Sequence, residues 1–388
     1  MDVLWDPQPG SSGRPLSGIK VLDVSRVLAG PYCAMLLADL GATVIKVEGP
    51  KGDETRRWGP PFDRGTATYF YTANRNKRGI VLDLSSGPGQ DRIQSLLQDA
   101  DVLVHNFTGR VLTKLHLSRD EVAALNPKCI HCTISGFGRE QPDRRGFDLV
   151  TQALGGLMAV TGYPDSQATK VGVPISDLAA GLFSALAVAA ALRDREVSGH
   201  AAQVEVSLLD SVVALLSNQA MSWLAGGVPP GRLGNDHPQV APYGLYSTGR
   251  GDIVIAAGTD QQFSSLAAEL GAPELAADPL FATNAARVEH RPQLRRVLEA
   301  LLESSSAEAW QLRLERAGIP SGMVRSVEDV FEDVGSRLVR TLDGIPQVLS
   351  PFRLDGEYLA PYLAPGKQAL DRQQAGSGSE GASPASVL

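Results

Sequence analysis

Cysteine, long apolar runs and blocks of like charge are all scarce in this sequence, and each scarcity removes a class of protein. Three cysteines in 388 residues, Cys33, Cys129 and Cys132, are too few and too unevenly spaced for a disulfide framework, which fits a reducing compartment. Cys129 and Cys132 form a C-x-x-C, but they lie in KCIHCTIS, which reads as a buried strand with no second pair downstream. Core packing is therefore expected there, not a metal or redox site. The six histidines show no ligand spacing, and only His237, in GNDHPQ, is placed to enter a cleft. The net charge of -7 is spread without long single-sign blocks, so neither a disordered chain nor a general nucleic-acid binder fits. The N-terminal MDVLWDPQPGSSGRPLSG has no basic region or apolar core, and the C-terminal Ser-Val-Leu is not a peroxisomal tripeptide. The apolar stretch Leu178 to Leu192 is short for a membrane span and suits a buried helix. A cytoplasmic location is expected.

Over the first 135 residues strand-like and helix-like signals alternate, which predicts an α/β unit with parallel strands. Strands are expected at Ile19–Val24, Thr43–Val47, Gly79–Leu84, Val102–His105 and Cys129–Ile134, with helices at Pro31–Leu40 and Gln90–Leu97. Ser118 followed by Glu121 is a capping-box start for a helix ending near Leu125. The order is Rossmann-like. Its first turn, however, reads SRVLAGP where a dinucleotide fold carries G-x-G-x-x-G, which argues against a nicotinamide dehydrogenase. From Asp148 to about Ala225 the chain reads as helical and rich in Ala and Leu, broken by the loop Gly162–Pro174 and the polar turn Arg193–Gly199. From Gly226 the Gly/Pro linker GGVPPGRLGNDHPQVAPY leads to a β-rich start over Gly244–Ala257 and amphipathic helices to about Ala317, predicting a second, smaller α+β domain. Short strands and prolines return over Gly335–Pro365. The terminal DRQQAGSGSEGASPASVL is Gly/Ser-rich and expected to be disordered.

Several phrases carry more than secondary structure: LSGIKVLDVSRVLAGPYCAMLLADLGATVIKVE from Leu16, GDETRRWGPPF from Gly52, ATYFYTANRNKRGIVLDL from Ala67 and HNF at His105. They continue with RGFDLVTQALGGLMAVTG from Arg145, VGVPISDLAAGL from Val171 and APYGLYSTGRGDIVIAAGTDQQF from Ala241. In this order and spacing they resemble the CaiB/BaiF family, the class III CoA-transferases, over roughly residues 16 to 365. The likeness is greatest to members acting on dicarboxylates, such as the succinyl-CoA:glutarate type. The resemblance implies a Rossmann-like large CoA-binding domain made of residues 1–225 and 335–388, with a linker and small domain over 226–334. It also implies an interlocked homodimer, acyl-CoA and a carboxylic acid acceptor as substrates, and no metal or cofactor beyond coenzyme A as substrate. No role for nucleic acid or membrane is expected. The absence of a G-x-S-x-G elbow removes the usual thioesterase arrangement.

Asp177 stands at the start of the long apolar helix, just after Pro174, where unpaired N–H groups and the helix dipole favour an ionised carboxylate. Local sequence alone suits plain N-capping, with Ser176 or Asp177 as the cap. The resemblance makes Asp177 the nucleophile that attacks a donor thioester, forms a mixed anhydride and then an aspartyl-CoA thioester opened by the acceptor. Asp148 matches the position of an acidic residue facing that nucleophile, where it could orient the acceptor or tune Asp177; a helix cap after Gly146 is the other reading. A racemase of the same superfamily places a second acid/base in a G-H-D phrase, and here the phrase is Gly146-Phe147-Asp148. A 2-methylacyl-CoA racemase and an inactive CoA-binding homologue remain the alternatives. Arg26, Val27, Leu28 and Ala29 lie on the first strand-to-helix turn, where a helix N-terminus can face the ligand. By resemblance, Leu82, Asn106, Phe107, Lys114 and Arg145 hold the nucleotide and pantetheine, and Gly258, Thr259 and Asp260 form a lid loop. Arg75, Lys77 and Arg78 form a cluster able to bind phosphate or to pair across a subunit interface. The pattern departs from the family at Gly49 and at Thr108-Gly109-Arg110. Leu28 stands where formyl-CoA transferases carry glutamine.

Overall fold

In the computed structural model, residues 3–366 and 369–370 are described, and they fall into two units. Of the described residues, the first unit comprises 3–157, 171–217, 336–366 and 369–370. Its β-branched apolar runs form a parallel sheet: β1 (Lys20–Asp23), β2 (Thr43–Glu48), β3 (Lys77–Val81), β4 (Val102–His105), β5 (Ile130–Ser135) and β6 (Gln203–Ser207). The sheet is completed by Ala369–Leu370, which pairs in parallel with β3. The order is (369–370)-β3-β2-β1-β4-β5-β6, every neighbour parallel. Such a sheet must be covered on both faces, and the alternation along each strand delivers this. Val21, Val44, Val102 and Ile134 face one side, against α1 (Ala29–Asp39). Leu22, Ile45, Ile80 and Leu103 face the other, against α2 (Gly87–Asp99).

Between β4 and β5 lie α3 (Gly109–Lys114) and α4 (Arg119–Leu125), the latter opened by the Ser118/Glu121 capping box that its sequence predicts. Then follow α5 (Asp148–Leu154), the 24-residue α6 (Ile175–Ser198) and α7 (Leu208–Leu215). α6 is long and apolar enough to cross a membrane, but Ala180, Ala185, Val188, Ala191 and Leu192 are buried against α1 and the sheet. Gly181 brings the two helices together: a Cβ there would stand 2.8 Å from the Ala29 carbonyl oxygen. Two sequence expectations are corrected. Arg193–Gly199 is not a separate turn, because α6 runs through Ser198 and stops only where Gly199 takes φ 77°. The part of that stretch read as helical after Gly199 also contains β6, the short edge strand QVEVS.

The second unit comprises residues 158–170 and 218–335. It holds an antiparallel sheet of β7 (Tyr243–Ser247), β8 (Asp252–Ala256) and β9 (Ser321–Met323), with α8 (Asp260–Glu269), α9 (Arg291–Leu302) and α10 (Ala307–Arg316). Its core gathers Ile253, Ile255, Phe263, Leu298, Trp310 and Leu314. The Gly/Ser-rich tail from Asp371 lies outside the described residues.

The three cysteines are buried and free. The Arg75/Lys77/Arg78 cluster is split by the fold: Arg75 and Lys77 are buried, while Arg78 is half-buried. Arg75 is buried on Asp39, with Asn76 and Ser350 bonding the same carboxylate. Lys77 is buried on Asp23, and Arg78 donates to the Leu4 carbonyl.

Candidate active site

The strand order reverses direction at β1: α1 leaves to one face and α2 returns on the other. The turns after β1 and β4 therefore diverge and leave a crevice at the carboxyl ends of the strands. Asn106, just after β4, bridges it at the base. Its carboxamide oxygen accepts from the Arg26 N–H at 2.9 Å and its NH2 donates to the Arg26 carbonyl at 2.7 Å. The Arg26 guanidinium lies 5.3 Å from the centre of the Phe107 ring. The resulting cleft has a volume of about 310 Å³ and is lined by Arg26, Val27, Ala29, Asn106, Phe107, Arg145 and Asp177, together with Phe147.

Asp177 is the third residue of α6, whose N-cap is Pro174 and lacks a side-chain cap. The first-turn N–H is taken instead by Asp148, the first residue of α5. Its Oδ1 accepts from Ser176 N at 2.9 Å and from Ser176 Oγ at 2.6 Å, while Oδ2 accepts from Gln152 Nε2 at 2.7 Å. Thr151 Oγ1 donates to Ser176 Oγ at 2.9 Å. Asp148 thus caps a helix it does not belong to; it is not the cap of its own helix, whose N-cap is Phe147 without a side-chain bond, and its charge acts on Asp177. Asp177 itself meets no hydrogen-bond partner or cation among the described residues. Burial and then the Asp148 charge push its carboxyl up to about 7. This corrects the expectation of a carboxylate held ionised by the helix end, because burial and the neighbouring Asp148 charge outweigh what the helix end supplies.

Several expected residues stand elsewhere. Leu28 and Leu82 are buried in the core, and Lys114 is exposed on the last turn of α3, outside the cleft lining. Gly258, Thr259 and Asp260 belong to the second unit. There Thr259 caps α8 through a capping box with Gln262, and Asp260 pairs with the buried Arg287 at 2.6 Å. Sequence reasoning missed Glu54 and Arg144, which also line the cleft. It also missed Tyr69, whose phenol is pushed up to about 12 by burial, with Asp177 and Asp148 adding to it. Glu54 and Tyr69 lie inside the quoted phrases, but no spacing distinguishes them from their neighbours; only the fold brings them to α6. A larger concavity of about 590 Å³ lies over β5 and β6. Its Arg139 and Glu205 satisfy each other at 3.0 Å, its His131 bonds the Leu117 carbonyl, and its remaining carboxylates, Glu140 and Asp210, are exposed where Asp177 is half-buried.

The profile of CoA-transferase family III matches residues 16–363. The chain is 41% identical over 333 residues to a succinate–glutarate CoA-transferase of Agrobacterium fabrum, covering 82% of each chain. It is 35% identical over 388 residues to an acetyl-CoA:oxalate CoA-transferase of Acetobacter aceti, covering 98% of this chain and 99% of the relative. Among solved structures, a CaiB/BaiF family protein from Brucella suis is 39% identical, with a TM-score of 0.82 over 92% of this chain and 96% of that one.

Proposed function

The chain belongs to CoA-transferase family III, the CaiB/BaiF proteins, and is a CoA-transferase moving CoA between an acyl-CoA and a carboxylate; from that premise we propose that it does so by covalent catalysis on Asp177. The observation that carries this is a carboxylate in the cleft with no partner and a pKa of about 7. An unpartnered carboxylate of raised pKa is a stronger nucleophile than an ordinary aspartate and still half-ionised at neutral pH.

One Asp177 Oδ attacks the thioester carbonyl and the C–S bond breaks, giving an aspartyl–acyl anhydride and CoA thiolate. The thiolate attacks the aspartyl carbonyl, which expels the donor acid as its carboxylate and leaves an aspartyl-CoA thioester. The acceptor carboxylate attacks that thioester, again releasing thiolate and forming an anhydride with Asp177. Attack of thiolate on the acceptor carbonyl yields the new acyl-CoA and restores the Asp177 carboxylate. Electron pairs balance at each step without a net proton. Asp148 fixes the start of α6, and so the place of Asp177, through Ser176.

Arg26, Arg144 and Arg145 give the cleft a cationic wall against Glu54 and Asp177, which supports a ligand carrying phosphates or a second carboxylate. We take the donor as succinyl-CoA and the acceptor as a C4 to C6 dicarboxylate, in line with the succinate–glutarate relatives. Incubation with succinyl-CoA and either glutarate or propionate tests this choice. Formation of glutaryl-CoA at least about tenfold faster than propionyl-CoA is expected, and equal rates would refute dicarboxylate selection. Phe147, in the same lining, has no proton to exchange, so a racemase finds no second base there.

A further inference from the structure

Val27 is the one cleft residue whose backbone is out of place for its side chain. Its φ is 68°, in the left-handed region that a β-branched residue enters only under constraint. The constraint is visible on every side of the turn. Asp23 Oδ1 accepts from Ser25 N at 3.0 Å and also from Ser25 Oγ. Lys46 Nζ donates to the Ser25 carbonyl at 3.0 Å and lies 3.2 Å from Asp53. Lys77 Nζ donates to Asp23 Oδ2 at 2.9 Å, to the Pro31 carbonyl at 2.7 Å and to Asn74 Oδ1 at 3.1 Å. One lysine thus grips the chain before Val27, the other grips it after, and both are tied to Asp23. Gly30 completes the fold-back, since a Cβ there would fall 2.3 Å from Ser25 Cβ.

Asp23, Lys46, Asp53 and Lys77 are all buried, two charges of each sign. Stability alone does not call for them, because a buried ion cluster is commonly no better than apolar packing of the same volume. Apolar side chains could not, however, hold the carbonyls of Ser25 and Pro31. Among the described residues the N–H groups of Val27, Leu28 and Ala29 meet no acceptor, so the turn carries free donors where Val27 and Ala29 line the cleft.

We propose that the buried Asp23–Lys46–Lys77 cluster is a clamp that holds Val27 in its left-handed conformation, which makes both lysines positioning residues for coenzyme A. The ligand rests on the function proposed above; the clamp itself does not. A glycine at 27 needs no such force, since it takes positive φ freely, and this gives the test. Calorimetric titration of coenzyme A into Lys77→Met, alone and in a Val27→Gly background, measures the coupling between clamp and turn. Lys77→Met is expected to weaken binding about tenfold with Val27 present and less than about threefold with glycine there. A merely structural lysine would give the same penalty in both backgrounds, and that result overturns the proposal. Ser25→Ala, which loses one bond to Asp23 without leaving a buried charge unpaired, is read in the same cycle and decides the matter if Lys77→Met does not fold. A crystal structure of either variant supplies a readout free of ligand: φ at Val27 is expected to turn negative, and its persistence near the present value would contradict the clamp. Should the unaltered protein fail to bind coenzyme A, the proposed function falls while the φ measurement still judges the clamp.

Discussion

Asp177 and Asp148 are two carboxylates placed so that one spends its oxygens on hydrogen bonds and the other keeps them free. That division sets a pH dependence. Asp177 attacks only as a carboxylate, and burial followed by the Asp148 charge holds its pKa near 7, so kcat/KM should fall tenfold per unit as pH drops below that value. Asp148→Asn removes the like charge but retains an oxygen that can accept from Ser176, so the helix start is kept. Taking away a neighbouring negative charge favours ionisation, and the acid limb should move to lower pH by about half a unit or more. A pH–rate profile that does not move, or that shifts upward, would contradict the coupling between the two acids. The same pair shows how far sequence reading reaches. Asp177 was visible as the residue before an apolar helix, and Asp148 as an acid in RGFDLV. Their relation depends on a hydrogen bond between residues 28 positions apart, which no local pattern encodes.

At the scale of elements, α6 owes its place to Gly181 as much as to its apolar stripe. Replacing Gly181 by alanine adds a methyl 2.8 Å from the Ala29 carbonyl oxygen and 3.0 Å from the Tyr32 ring. Alanine recovers about 0.5–1 kcal/mol of helix propensity, but forcing two packed helices apart costs about 1–3 kcal/mol. A net loss of about 1 kcal/mol follows, read as a lower thermal midpoint; a midpoint at or above the wild type would show that the α1–α6 contact yields more easily than its geometry implies. Long elements with two-faced or amphipathic patterns were legible: the strands Lys20–Asp23 and Val102–His105, the helix Gly87–Asp99 and the Ser118 capping box all fall within a few residues of their sequence signals. The edge strand QVEVS was not, because five residues after a long helix offer too short an alternation to compete with the Ala/Leu signal around them. Arg75, Lys77 and Arg78 read as one cluster for phosphate or a subunit interface because charge in a sequence carries no sign of burial. Asp39 and Asp23, which pair with the buried Arg75 and Lys77, lie 36 and 54 residues away.

For the whole molecule, α6 leaves Leu182 and Leu186 more than half exposed, and we propose that a second copy of the chain covers them in a homodimer. A molar mass from light scattering at twice that of one chain is expected, and a monomer at micromolar concentration would refute it. The central claim, that the chain transfers CoA through Asp177, is tested most directly by intact-mass analysis after mixing with succinyl-CoA and quenching in hydroxylamine. A covalent adduct mapping to the peptide that contains Asp177 is expected, absent in Asp177→Ala. Trapping of Asp177→Ala to the same extent as the unaltered protein would contradict it.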